Sequence, residues 1–194
     1  ITGFGEECGA PLVDHPQVDC IALTGSTQTG IAIGAQSMKH MRRCQLELGG
    51  KSALLVLRDA DPVKAAEIAA QGIFTHAGQI CMANSRIVVE REIEQAFLAA
   101  LKTHCENIQL GDLRDENSRY GPLINRSALE KVLAHIESAL ASGATLLTGG
   151  EVEHGLTLQP TVVLEPARDS TLWRDESFGP LASVVAVDDL EQAI

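Results

Sequence analysis

Aromatic residues are scarce in this chain of 194, with one Trp, one Tyr and four Phe making up 3% of it. The core must therefore be built mainly from Ala, Val, Leu and Ile. The 45% apolar and 21% charged content still suits a globular protein with a sizeable core. Basic charge is also short: 15 Lys plus Arg face 26 Asp plus Glu, a net charge of −11. A surface of that sign repels phosphate backbones and anionic lipid, so nucleic acid and membrane are not expected partners. Closely spaced cysteine pairs are missing. Cys8, Cys20, Cys44, Cys81 and Cys105 are odd in number, and none lies two or three residues from another. That argues against a disulfide framework and a structural zinc site, and it points to a reducing compartment. The six histidines are scattered without a His-x-x-x-His, so no metal is expected. No apolar run approaches the length a bilayer requires and no signal peptide is visible, which fits a cytoplasmic protein. The ends, Ile1-Thr2-Gly3 without a methionine and Leu190-Glu191-Gln192-Ala193-Ile194 where a helix begins, suggest a piece of a longer protein.

What is present is organised around residues 74–86. Cys81 follows directly on Gly78-Gln79-Ile80, between an expected helix and an expected strand. A loop at such a junction presents a side chain on a rigid base. Gly78, lacking a Cβ, lets the backbone come close to a ligand. A cysteine there can be a nucleophile through its thiolate. It can equally be a small buried hydrophobe, as most free cysteines are.

The rest of the chain alternates helices with short strands. Thr2 to Gly9 is glycine-rich and leads into a short helix or turn. Residues 19–24 read as a buried strand broken by Gly25-Ser26. A helix follows over 27–40, with Ile31, Ile33, Ala35 and Met38 as its apolar positions. A strand, a Gly-Ser turn and a helix start make an anion site, because the first helical amides are unpaired. Ser26 can meet a phosphate there or simply cap the helix. Residues 44–48 alternate as a strand ending at Gly49-Gly50, and Glu47 just before the break can be a general base or merely a solvated carboxylate. After a strand at 52–57, Asp61-Pro62 starts a helix running towards Phe74. Strands are expected at 86–89, 145–148, 161–164 and 182–187, and helices at 93–105 and 127–142. Polar loops are expected around Tyr120-Gly121-Pro122-Leu123 and over 173–180. The pattern is that of an α/β fold with a largely parallel sheet.

Four stretches together resemble the NAD(P)-dependent aldehyde dehydrogenase superfamily. They are Leu23-Thr24-Gly25-Ser26 with Gly30, Leu46-Glu47-Leu48-Gly49-Gly50-Lys51, Gly78-Gln79-Ile80-Cys81, and Glu176-Ser177-Phe178-Gly179-Pro180. They stand in the family's order at close to its spacing, and the resemblance covers essentially the whole chain. It implies that residues 1–48 are the C-terminal part of a Rossmann-like NAD(P)-binding domain and that 49–194 are most of an α/β catalytic domain. It implies that Cys81 attacks an aldehyde, that hydride passes to NAD or NADP, and that Glu47 activates the water which hydrolyses the thioester. The Cys81 amide would donate to the oxyanion. Among cofactor residues it implies Ser26 at the pyrophosphate and Thr24, Gly25, Leu48 and Gly49 beside the nicotinamide. Glu176 would hold the nicotinamide ribose, with Phe178 nearby, and Gly5 would lie near the adenosine. Lys51 reads as a structural or surface lysine. The resemblance also implies a homo-oligomer in the full-length protein and an isolated fragment without activity. Ile80-Cys81-Met82 with Asp175-Glu176-Ser177-Phe178 is similar to the branch acting on aromatic aldehydes such as salicylaldehyde, benzaldehyde and vanillin.

Three other readings compete. An acylating dehydrogenase would pass the thioester to coenzyme A and has no need of Glu47. A non-catalytic cofactor-binding or structural relative has no need of Cys81 and Glu47 together. A cysteine hydrolase would need a histidine partner, and His76 is the only one close in sequence.

Overall fold

The computed structural model describes residues 1–194, which fold as two units, Ile1–Gly49 and Gly50–Ile194. In the first, a π-helical turn over Gly5–Gly9 runs into α1 (Ala10–Asp14), and β1 (Cys20–Gly25), α2 (Thr27–Lys39) and β2 (Arg43–Leu48) form a βαβ unit. The strands pair in parallel, with Thr24 opposite Glu47 and Gly25 opposite Leu48. Their side chains alternate: Ile21, Leu23, Leu46 and Leu48 are half-buried, while Ala22, Thr24, Gln45 and Glu47 are exposed. The helix stands where the sequence predicts it, and its buried positions are not its bulky apolar ones. Ile31 and Met38 are exposed, and the buried positions are Gly30 and Ser37. The reason is proximity: a Cβ at Gly30 would fall 2.5 Å from a methyl of Leu48, so only small residues let α2 lie this close to β2.

The second unit is built on a five-stranded sheet in the order β3 (Ala53–Val56), β4 (Arg86–Glu90), β9 (Leu181–Val187), β8 (Thr161–Leu164), β5 (Thr145–Thr148). All its pairings are parallel except β5 with β8. Ile87 and Val89 of β4 and Leu181, Ala182 and Val184 of β9 are buried with Ile73 of α3 (Pro62–Phe74) and Phe97 and Leu101 of α4 (Arg91–Glu106). Asp61 caps α3 by accepting from the Val63 and Lys64 amides, and Pro62 occupies the first turn, where its missing N–H is not needed. α5 (Arg126–Ala141) follows a loop that is more anchored than its polar sequence suggests. Tyr120 and Leu123 are buried, and Tyr120 Oη donates to the Leu158 carbonyl at 2.8 Å.

Two further elements depart from the expected loops. A small hairpin, β6 (Val152–His154) with β7 (Thr157–Leu158), turns through Gly155 at φ +55. A single-turn helix, α6 (Thr171–Arg174), takes up Trp173 and Arg174 under a Ser170 cap. Both are too short to leave a periodic apolar pattern. α7 (Leu190–Ala193) ends the chain, and no helix is long and apolar enough to cross a membrane.

Candidate active site

α3 delivers the chain to a turn over Thr75–Gly78 in which His76 (φ 52), Ala77 (φ 56) and Gly78 (φ 68) are all left-handed. For the two non-glycine residues this costs on the order of 1 kcal/mol each. The arrangement seats Gly78 against Gly179, where a Cβ would lie 2.1 Å from the Gly179 carbonyl oxygen. The close approach expected of Gly78 is therefore to the chain itself.

Beyond it, Cys81 and Met82 are the two central residues of a turn closed by the Ala83 amide, which donates to the Ile80 carbonyl at 3.1 Å. The Cys81 amide stays outside that bond. Both central side chains are exposed. The buried-hydrophobe reading thus fails for Cys81 and fits Cys105, whose thiol is pushed up to about 12 by burial. The base of the turn is braced on each side. Gln79 accepts from the Ile124 amide at 2.9 Å, and the Asn84 amide donates to the Gly72 carbonyl at 3.3 Å.

Gly50 brings the remaining pieces of this unit together. Its amide donates to Glu176 Oε1 at 3.2 Å, and a Cβ on it would stand 3.5 Å from the Cys81 carbonyl oxygen. Next to it, Lys51 Nζ donates to Ser177 Oγ at 3.0 Å, and Ser177 Oγ lies 3.4 Å from His135 Nδ1 on α5. Burial is the main cause that brings Lys51 down to about 8, with Arg86 and Lys131 acting the same way and Asp175 and Glu176 opposing. Burial likewise lowers His135, helped by Lys51 and Lys131. The direction is fixed at one end, where the Lys51 ammonium can only donate to Ser177 Oγ; between Ser177 Oγ and His135 Nδ1 it depends on the imidazole tautomer. Sequence reasoning passed over Lys51, Ser177 and His135 as site residues. The only available signal was a lysine set between two glycines and an apolar strand. Phe178 is exposed and left-handed (φ 52) just before Gly179.

In the first unit, the parallel register sets Thr24 beside Glu47 and Gly25 beside Leu48 at the carboxyl ends of the strands, where open α/β sheets take ligands. Ser26 caps α2, accepting from the Thr29 amide at 3.1 Å, so its capping role is realised. Gly5 is exposed, and a Cβ on it would meet nothing within 4 Å.

The aldehyde dehydrogenase family model matches residues 1–194, the entire chain. The chain belongs to the aldehyde dehydrogenase family. Aminoaldehyde dehydrogenase 1, peroxisomal, of Malus domestica is 40% identical over all of this chain and 39% of its own length. Betaine aldehyde dehydrogenase, chloroplastic, of Amaranthus hypochondriacus is 39% identical over all of the chain and 40% of its own. Among solved structures, an NAD+ complex of aldehyde dehydrogenase from Bacillus cereus matches with TM-score 0.94 at 38% identity, covering 98% of this chain and 39% of that one. An NAD-dependent aldehyde dehydrogenase from Sinorhizobium meliloti matches with TM-score 0.96 at 34% identity, covering 100% and 39%. This aldehyde dehydrogenase chain therefore has the family's mixed α/β fold and spans about two-fifths of the length of the relatives it matches.

Proposed function

We propose that this chain is the part of an NAD(P)-dependent aldehyde dehydrogenase that carries its nucleophile, Cys81, and its general base, Glu47. The observation that supports this reading most is the exposed Cys81 at the tip of a braced turn, in the same unit as Gly50, whose amide holds Glu176. The unit Ile1–Gly49 would then be the end of a cofactor domain, and Gly50–Ile194 most of a catalytic one.

The Cys81 sulfur bonds to the aldehyde carbon, and the oxygen that becomes negative is met by the Cys81 amide. A bound nicotinamide supplies the hydride acceptor. Once an acyl group sits on sulfur, Glu47 takes a proton from water, the new C–O bond forms, the C–S bond breaks, and a carboxylic acid leaves. The fit of this chain to the cofactor rests on its βαβ unit. Gly30 lets α2 pack against Leu48 and so aims the α2 N-terminus at the end of β1, where Ser26 and the free amides suit a pyrophosphate. Thr24, Gly25, Leu48 and Gly49 would lie along the nicotinamide, Glu176 would take its ribose with Phe178 close by, and Gly5 would be near the adenosine.

For the substrate, the names of the relatives favour an amine-bearing aldehyde. An aromatic aldehyde is the second reading, favoured by the exposed thioether of Met82 beside Cys81, which suits a flat ring. The unpaired cysteines favour a reducing compartment such as the cytoplasm, and the full-length protein is read as a homo-oligomer.

Two measurements on the full-length parent test this. Limiting iodoacetamide should label Cys81 at least about tenfold faster than Cys20, which is also exposed and serves as the internal control. Equal labelling of the two would sink the nucleophile. NADH formation should then be followed with betaine aldehyde, an aminoaldehyde, benzaldehyde and acetaldehyde. The highest kcat/KM decides the substrate class, and no turnover with any of them in either cofactor would return the chain to the non-catalytic reading.

A further inference from the structure

An ammonium group is costly to take out of water. Lys51 is partly buried, and the nearby cations Arg86 and Lys131 make its charge less favourable still. The only hydrogen bond it makes in the protein is to Ser177. Ser177 in turn belongs to a turn that does not hold its shape cheaply, since Phe178 is left-handed and Gly179 is pressed against Gly78. A backbone in such a conformation persists only where its surroundings over-determine it. The surroundings here are specific. Two successive donors, the Gly50 amide and the Lys51 ammonium, meet two successive acceptors, the Glu176 carboxylate and the Ser177 hydroxyl. His135 closes the far side, its Nδ1 3.4 Å from Ser177 Oγ.

We propose that Lys51 is a positioning residue that clamps Ser177 and, with Gly50, holds the Glu176 carboxylate in place for the nicotinamide ribose. This rests on the reading of Glu176 as a cofactor ligand. Lys51 touches neither substrate nor cofactor in this account and acts through its neighbour. Its burial is then a cost carried for the geometry of the loop.

The test is NAD+ affinity of the full-length parent, measured by calorimetry without aldehyde, together with melting temperature. Lys51→Met keeps the apolar stem and removes the charge. Ser177→Ala removes the bridge with a minimal change of volume, and it carries the test if Lys51→Met does not fold. Each should weaken NAD+ binding about tenfold. Lys51→Met should melt at or above the parent temperature, because it removes a partly buried charge that faces other cations. Glu176→Gln alone should also weaken binding, and adding Lys51→Met to it should change little further, as expected of residues acting through one contact. If both Lys51→Met and Ser177→Ala stay within about twofold of the parent while Glu176→Gln does not, the clamp is wrong and the role of Glu176 survives. If the effects of Lys51→Met and Glu176→Gln simply add, the clamp is also wrong. If Glu176→Gln binds NAD+ as the parent does, the cofactor reading of Glu176 falls and the proposal with it.

Discussion

Cys81→Ala should abolish NADH formation by the full-length parent, with a loss on the order of 10⁴-fold or more, while leaving the fold intact. The two halves of that expectation have separate causes. Cys81 is an exposed central residue of the turn closed between Ile80 and Ala83, and removing one exposed sulfur there should change stability by no more than about 0.5 kcal/mol. The chemistry has no substitute. On the proposed mechanism no covalent intermediate forms without the sulfur, and what remains is the effect of binding alone. Glu47→Gln should behave differently. With the nucleophile kept and the base removed, about one equivalent of NADH per site should form rapidly, followed by a slow steady state limited by thioester hydrolysis. Rapid-mixing absorbance at the nicotinamide band reads both variants. A Cys81→Ala enzyme that still turns over would overturn the mechanism. A Glu47→Gln enzyme that shows no burst would move the role of Glu47 ahead of acylation.

Gly78→Ala should be among the most destabilising single substitutions in the chain, at about 3–5 kcal/mol. The added methyl would meet the Gly179 oxygen at 2.1 Å, the Gly179 carbonyl carbon at 2.5 Å and the Ile73 oxygen at 3.1 Å, at a residue whose φ is already +68. All three obstacles are backbone, and two belong to a buried glycine, so nothing can swing aside. Two other glycines separate the causes. Gly155→Ala also suffers a positive φ (+55) but meets nothing within 4 Å, so it should cost only about 1 kcal/mol. Gly179→Ala meets a methyl of the buried Val132 at 2.5 Å, but at a residue without a positive φ and against a side chain rather than backbone, and should fall between the two. Urea midpoints of the three variants give the order directly. Equal effects at Gly78 and Gly155 would mean that the backbone contact yields.

The motifs were legible because each is a string of residues with a local job. The Asp61-Pro62 start of α3, the strand of 86–90 and the position of Cys81 between them followed from capping, alternation and a break in pattern. Gly30 was legible as part of a motif, but its reason, contact with Leu48, lies in tertiary structure. The buried face of α2 has the same cause. Ile31 and Met38 are the bulky residues, yet the helix approaches β2 over Gly30, next to Leu48, and Gly34, next to Leu46. Lys51, Ser177 and His135 lie far apart in sequence, at the end of a glycine pair, in a loop and on a helix, and only the folded chain makes them neighbours. Composition and periodicity carry no signal for a contact between residues 51, 135 and 177. The closeness of Gly78 to Gly179 was invisible in the same way, because a glycine announces room without saying what fills it.

The partly buried Lys51 also changes how the protein exchanges protons with water when it unfolds. Lys51 is held at about 8 in the fold against 10.5 when free, so from pH 8 upward it is increasingly uncharged in the native chain and charged in the unfolded one. Unfolding then takes up a proton at this group, and its contribution to stability rises with pH. Cys105 has the opposite bias: free at 9.0 and held at about 12, it stays protonated in the fold and ionises on unfolding above pH 9. Unfolding through that group releases a proton, and stability falls with further alkalinity. For these two groups the net proton exchange of unfolding therefore runs inward between pH 8 and 9 and is opposed above pH 9. Through Lys51, a residue kept for the geometry of one loop would shift the pH at which the whole fold is most resistant to denaturation towards the alkaline side of neutrality.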